Sequence, residues 1–462
     1  MTTSISNVSW TIISLLVAGC INAQELTTGR YHGALICSDD SVKAWGAAPT
    51  LGNGTTNQSA VPVTVTGISG AQSLSAGGEF TLALLQDGSI WGWGYNSAGQ
   101  LCDATFTSPR LTPVQAQGIS DVVELAAGGS HVLALKSDGS LVAWGQNGFG
   151  SLGIGAGPPS SSAVSVPGLN NVVEIAAGHG HSLALKSDGT VWAWGRNNHG
   201  QLGLGSVNSY VGTPTVIPSL TDVASIACGY WHSVAVRVDG SVFCWGNNDQ
   251  GQLGNSSWVG SSVPVQVSGL TNVVSVSSEH STHNLAVKDD GTVWGWGANF
   301  DGQLGIGTNS FGSNVPVQVF GLTSPNRLAT GGFFSLALDA NGQLYSWGEN
   351  DNGQLGNGST SSTNMVNLVP DPCEGSSTTE ISQGQSPSLV RLAPNPTSAL
   401  AVLSLPPGLW TLRVQDVTGR EVIKLQTSHT AVLDVQDWPD GCYTVQANDG
   451  QQLHSLRLVH AR

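Results

Sequence analysis

Between residues 24 and 369 apolar positions come in short runs that alternate with polar or small residues, and one succession of runs returns seven times. Each unit opens with a strand-like run closing in small residues and Gly, as in Val122 to Gly128 and Val172 to Gly178. After two loop residues an alternating run begins, usually at His: His131 to Leu135, His181 to Leu185, His232 to Val236. A period of two predicts strands and excludes a helical solenoid, whose apolar residues would recur about every 3.6 positions. Asp or Asn followed by Gly then stands at Asp87, Asp138, Asp188, Asp239, Asp290 and Asn341. These pairs supply the positive φ angles of tight hairpin turns. The third run ends in Trp-Gly, at Trp45, Trp93, Trp144, Trp194, Trp245, Trp296 and Trp347, each 48 to 51 residues after the last. A glycine-rich turn such as Asn198 to Gly203 follows, and the fourth run often begins at Pro, as at Pro264. Proline suits the start of an edge strand, where its missing N–H costs nothing.

Four antiparallel strands joined by short turns make one sheet that cannot bury both faces alone. Radial packing of seven sheets solves this, with the Trp side chains supplying apolar area between neighbours. The expected fold is all-β: a seven-bladed β-propeller of four-stranded antiparallel blades, followed by a small C-terminal β-sandwich domain. The elements Gly-x-x-His, Asp-Gly, Trp-Gly and Gly-Gln-Leu-Gly, in this order, resemble the repeats of the regulator of chromosome condensation family, which implies the same propeller. Four positions depart from the pattern. Phe80 and Phe334 replace the repeat histidine, Glu279 stands where Gly is usual, and Cys102 replaces the last Gly of its turn.

Composition agrees with a β-rich, turn-dense protein: 10% charged residues, 61 Gly and 15 Trp. The net charge of −15 lies entirely upstream of the tail. Residues 388–462 carry six acids and six bases, leaving 24 acids against nine bases before them. Such a surface repels phosphate backbones, so nucleic acid is not an expected partner.

Residues 1–23 read as a secretory signal peptide, with an apolar run from Trp10 to Ala18 and cleavage after Ala23. The run is too short to span a bilayer, so no transmembrane segment is expected. Val17 to Cys20 resembles a bacterial lipoprotein box, which gives lipidation of Cys20 as the alternative. Either route places the protein outside the cytoplasm, secreted or attached to the outer-membrane surface. The six other cysteines show no framework: Cys228 and Cys244 fall where other repeats have small residues, and pairing of the rest cannot be assigned from sequence.

Residues 370–387, rich in Ser, Thr, Gly and Pro, read as a flexible linker. Residues 388–462 carry Pro394-Asn395-Pro396-Thr397, Asp416-Val417-Thr418-Gly419-Arg420, Leu433-Asp434, Gly441-Cys442-Tyr443 and Leu456-Arg457-Leu458-Val459. This succession is similar to the C-terminal sorting domain of the type IX secretion system of the Bacteroidetes group. The resemblance implies passage across the outer membrane and makes the type IX machinery a partner of the tail.

Candidate chemistry is sparse. The repeat histidines His32, His131, His181, His232 and His283 occupy one position per blade, which suits buried hydrogen bonding better than a metal ring. The turns Asn247 to Asp249 and Asn350 to Gly353 lack the closing carboxylate of a calcium loop. No nucleophile elbow, phosphate loop or His-Glu-x-x-His motif occurs. No catalytic, cofactor or metal residue is assigned, and an enzyme is not expected.

The unrepeated residues are more informative. In a four-stranded blade the first-to-second and third-to-fourth loops emerge on one face of the ring. The first set carries Arg30, Tyr31, His179, Tyr230, Trp231, His280 and Phe333; the second carries Tyr95, Phe149, Tyr210, Trp258 and Phe300. Aromatic and Arg residues on a rigid loop face suit partner binding. The expected function is therefore a secreted or surface binding protein recognising a protein or glycan. The alternatives are a structural or adhesive surface protein, and a hydrolase or lyase acting on polysaccharide.

Overall fold

A computed structural model of the chain describes residues 23–370 and 372–373, together with tail segments 391–393, 400–404, 410–416, 420–427, 430–434, 441–448 and 453–460. The leader before Ala23, the lipidation candidate Cys20, most of the linker and the Pro394-Asn395-Pro396 opening lie outside the described residues.

Seven four-stranded antiparallel sheets form over residues 23–64, 71–115, 122–165, 172–216, 223–266, 273–323 and 327–369, here called blades 1 to 7. Each blade is contiguous in sequence, and its four strands pair in chain order. The seven-bladed architecture is the one the repeat predicts. The second strand of each blade is the most buried; His181–Lys186 and its equivalents are covered from the repeat residue onward. The third strand, as in Val191–Arg196, places its Trp-Gly tryptophan at 0% exposure in every blade. The glycine after it takes φ near +100° at a register shift with the fourth strand, a conformation that L-residues avoid.

Apolar clusters lie between neighbouring sheets rather than within one. Leu183, Ile217 and Ile226 of blades 4 and 5 gather around Trp245, and Leu133, Ile175 and Ala184 of blades 3 and 4 around Trp194. The indole N–H groups add a second tie. Trp93 donates to the carbonyl of Thr50, Trp144 to Gln100, Trp194 to Ser151, Trp245 to Gln201, Trp296 to Gln252 and Trp347 to Gln303, at 2.8–3.0 Å. Each acceptor belongs to the preceding blade. Trp45 closes the ring on Gln354 of blade 7 at 2.8 Å.

A covalent tie accompanies this closure. Cys37, at the end of the second strand of blade 1, forms a disulfide with Cys373, just beyond the last strand of blade 7, 336 residues away. Among the described residues no strand is shared between the first and last blades. The seam is held by this bond, the Trp45 contact, an apolar cluster of Leu26 and Leu35 with Phe334 and Leu336, backbone bonds from Gly332 to Arg30 and from Gly358 to Ala60, and the Arg327–Glu25 ion pair. Cys102, Cys228 and Cys244 are buried free thiols.

The tail forms a separate compact unit, Ser377–Arg462. Its described strands make a three-stranded sheet (Arg391–Ala393, Leu400–Ser404, Thr430–Asp434) and a four-stranded one (Trp410–Asp416, Glu421–Thr427, Gly441–Asn448, Leu453–His460), both antiparallel. Among the described residues no helix is long and apolar enough to cross a membrane.

Candidate functional site on the loop face

The repeat histidines build the ring. His32 Nε2 meets Thr81 Oγ1 at 2.8 Å, His131 meets Ser182 at 3.0 Å, and His181 meets Ser233 at 3.0 Å. His232 meets Asn284 at 2.7 Å and His283 meets Ser335 at 2.7 Å. Each partner sits in the next blade, beside that blade's own repeat residue. Burial lowers the pKa of His32, His131, His181 and His283 to about 3 and of His232 to about 4, so all are neutral at pH 7. Among the described residues no group of three or more His, Cys, Asp or Glu is placed to hold a metal ion.

The unrepeated loop residues converge. Tyr230 stacks on His179 of blade 4 with ring centroids 4.2 Å apart, and meets Trp231 edge-on at 4.9 Å. Trp231 in turn stacks on His199 at 4.8 Å. Arg30 reaches over the mouth of the ring from blade 1: its guanidinium lies 4.9 Å from the Tyr31 ring and 5.4 Å from the Tyr230 ring. Burial holds His179 at about pKa 4, so this stack is of neutral rings capped by one cation. A second cluster stands further out, where Phe311 meets Trp258 at 5.6 Å and Phe300 at 5.1 Å, with all three rings exposed. Phe149 forms a third contact, under the guanidinium of Arg196 at 4.8 Å. Tyr95 and Tyr210 join none of these stacks among the described residues.

Two cavities of about 230 Å³ each share one residue. The first is a cleft at the ring mouth, bounded by Arg30, Tyr230, Trp231, Gln250 and Phe333, with His280 and Thr282 also lining it. The second is the central channel, lined by the first strands of blades 1 to 6 and carrying Glu25, Glu124 and Glu279. His280 lines both cavities and is 2% exposed. Its positive φ of 48° turns it inward, and its Nε2 donates to the carbonyl of Ala127 in blade 3 at 2.9 Å. It is thus a plug across the channel rather than a surface side chain.

Glu279, the departure from the repeat glycine, takes part in the same plug. Its N–H donates to Thr330 Oγ1 at 2.8 Å, and its carboxylate accepts from Thr28 of blade 1 at 3.3 Å. Burial raises the pKa of Glu124 and Glu279 to about 7.

The match to known proteins fits this geometry. The model of the RCC1-like domain matches residues 11–324 and, overlapping it, 105–434, as expected when similar repeats align in more than one register. The chain belongs to the RCC1-like family. This RCC1-like propeller is 28% identical over 360 residues to the ultraviolet-B receptor UVR8 of Arabidopsis thaliana, covering 74% of this chain and 81% of that protein. It is 32% identical over 292 residues to human E3 ubiquitin-protein ligase HERC2, covering 61% of this chain but only 6% of that much longer protein. The crystal structure of Prp20p from Saccharomyces cerevisiae superposes with a TM-score of 0.63 at 23% identity, over 76% of this chain and 87% of that one.

Sequence reasoning on the RCC1-like repeat missed His199, Arg196 and Phe311. His199 lies inside the glycine-rich turn of blade 4 and Arg196 just before it, while Phe311 ends the third-to-fourth loop of blade 6. The cleft also takes Asn247, Asp249, Gln250 and Gln252 from one such turn in blade 5. Asn247, Asp249 and Gln250 stand at positions that differ between blades, whereas Gln252 is the repeated glutamine of Gly-Gln-Leu-Gly and carried no such signal.

Proposed function

We propose that this RCC1-like propeller is an exported bacterial binding protein that recognises a protein partner through its loop face. The observation that carries the reading is the stack of Arg30, Tyr230 and His179 with Trp231 joined to it. Tyr, Trp and Arg held rigidly at the centre of a concave face are the side chains that dominate binding energy at protein interfaces. UVR8 is named a receptor and HERC2, of which the match covers only 6%, a ubiquitin ligase; the shared fold does not fix the target, which on this reading the unrepeated loop residues set.

The Cys37–Cys373 disulfide supports export, because such bonds persist in oxidising compartments. The apolar leader and the antiparallel strands of the tail suit a route in which residues 388–462 address the type IX machinery of a Bacteroidetes cell.

The test is affinity capture from the native environment with the full chain and with its Tyr230→Ala/Trp231→Ala variant. A captured partner lost from the double variant is the expected result. Equal capture by both chains would overturn the assignment of this face.

A further inference from the structure

We infer that the cleft at the ring mouth receives the side chain of an arginine presented by the partner protein. This rests on the protein-binding reading above and narrows it to one chemistry.

Size decides the kind of occupant first. A cavity of about 230 Å³ lies below the ~300–1,000 Å³ of sites that enclose drug-sized molecules or cofactors, and suits a single anchor side chain. Its wall is aromatic, from Tyr230, Trp231 and Phe333. A planar guanidinium stacks on such faces better than an ammonium does.

The leftover polar atoms point the same way. Gln250 Oε1, Thr282 Oγ1 and His280 Nδ1 are buried without a hydrogen-bond partner. Because His280 Nε2 donates to the Ala127 carbonyl, the neutral ring keeps its proton there and Nδ1 is an acceptor. All three residues line the cleft, so acceptor atoms lie just behind its wall, where a turn of the Gln250 or Thr282 side chain presents them to an arginine with five N–H donors.

Charge completes the case. Blades 5, 6 and 7 place Asp249, Asp301, Glu349 and Asp351 in their third-to-fourth loops around this mouth. The Glu349 N–H donates to the Phe333 carbonyl at 2.9 Å, which holds the Glu349 backbone beside the wall. Burial and mutual repulsion raise the pKa of Glu349 to about 6, with Asp301 and Asp351 as the repelling neighbours. A bound cation relieves that repulsion, whereas a neutral sugar leaves it in place. Arg30, over Tyr31 and Tyr230, already offsets part of the Glu349 charge, and Arg196 lies on the blade 4 side beside His179 and His199; the four carboxylates outnumber these two cations.

The probe is a random peptide library displayed on phage, panned on the full chain. The Tyr230→Ala/Trp231→Ala and Asp249→Asn/Glu349→Gln variants are panned in parallel. Peptides enriched on the natural chain should carry arginine at one fixed position. Replacing that arginine by citrulline, or binding to the Asp249→Asn/Glu349→Gln chain, should weaken affinity about tenfold or more. Enriched peptides that need Tyr230 and Trp231 but share no basic residue would overturn the arginine inference and leave the binding face standing. Peptides that bind the Tyr230→Ala/Trp231→Ala chain equally well, or no enrichment at all, would overturn both.

Discussion

The imidazole of His280 and the carbonyl of Ala127, 153 residues apart in sequence, meet at 2.9 Å across the central channel. A blade 6 loop is thereby pinned to blade 3, and the imidazole stands between the loop-face cleft and the channel below it. Removing the imidazole leaves a buried carbonyl unpaired, which costs about 1–3 kcal/mol. His280→Ala should therefore lower the thermal midpoint. His280→Gly should lower it less, because glycine accepts the φ of 48° without strain. Calorimetry of the two variants checks both the loss and its order.

The Cys37–Cys373 disulfide is the covalent part of the seam between blades 1 and 7. Closing so long a loop restricts the unfolded chain strongly, and disulfides of this kind contribute about 2–5 kcal/mol. A Cys37→Ser/Cys373→Ser chain should melt well below the oxidised natural chain, and reductant should lower the natural midpoint towards it. If reductant shifts the natural chain but not the variant, the effect belongs to this bond alone. Cys102, Cys228 and Cys244 are buried thiols and give no competing disulfide among the described residues.

His181 illustrates which part of the repeat tolerates change. Its acceptor-side partner Ser233 also donates to the carbonyl of Gln201 at 2.8 Å, so the hydroxyl stays satisfied when the imidazole goes. Phe80 and Phe334 already fill the equivalent site at 0% exposure in blades 2 and 7. His181→Phe should thus cost less than about 1.5 kcal/mol, while His181→Ala, which leaves a cavity, should cost about 2–4 kcal/mol. Urea titration of the two variants separates packing from hydrogen bonding.

The ring was legible from sequence because its determinants are local and repeated: Trp-Gly, Asp-Gly and the repeat histidine each mark one place in a blade. What sequence could not supply is the closure of the circle. Cys37 and Cys373, or Arg30 and Tyr230, come together only because seven sheets turn through a full revolution. The loop-face residues Tyr230 and Trp231 were visible as unrepeated aromatics, yet their stacking partners His179 and His199 depend on the curvature between blades 4 and 5. His280 was expected among the loop-face residues available to a partner; its inward turn rests on one left-handed φ that its local sequence does not announce. The hydrogen bonds from each histidine to the next blade likewise needed the radial packing to be seen.

Acid should destabilise the propeller, and the buried histidines set the direction. His32, His131, His181 and His283 titrate near 3 in the native state, and His179, His232 and His280 near 4, against 6.5 for a free imidazole. Below pH 6.5 the unfolded chain takes up protons that the native chain refuses, so stability falls as pH falls towards 3–4. Glu124 and Glu279, raised by burial to about 7 against 4.5, act oppositely: the native chain takes their protons first, and stability rises as pH drops from 7 to 4.5. The histidines are more numerous, and four of them are displaced further, so they prevail. Melting temperature should change little between pH 7.5 and 6.5 and then decline steeply towards pH 4. Glu124→Gln/Glu279→Gln removes the two largest opposing contributions, leaving those of Glu349, Glu25 and Glu174, and should steepen the decline. A midpoint that rises on acidification to pH 5 would show that the channel glutamates, not the interblade histidines, govern the titration.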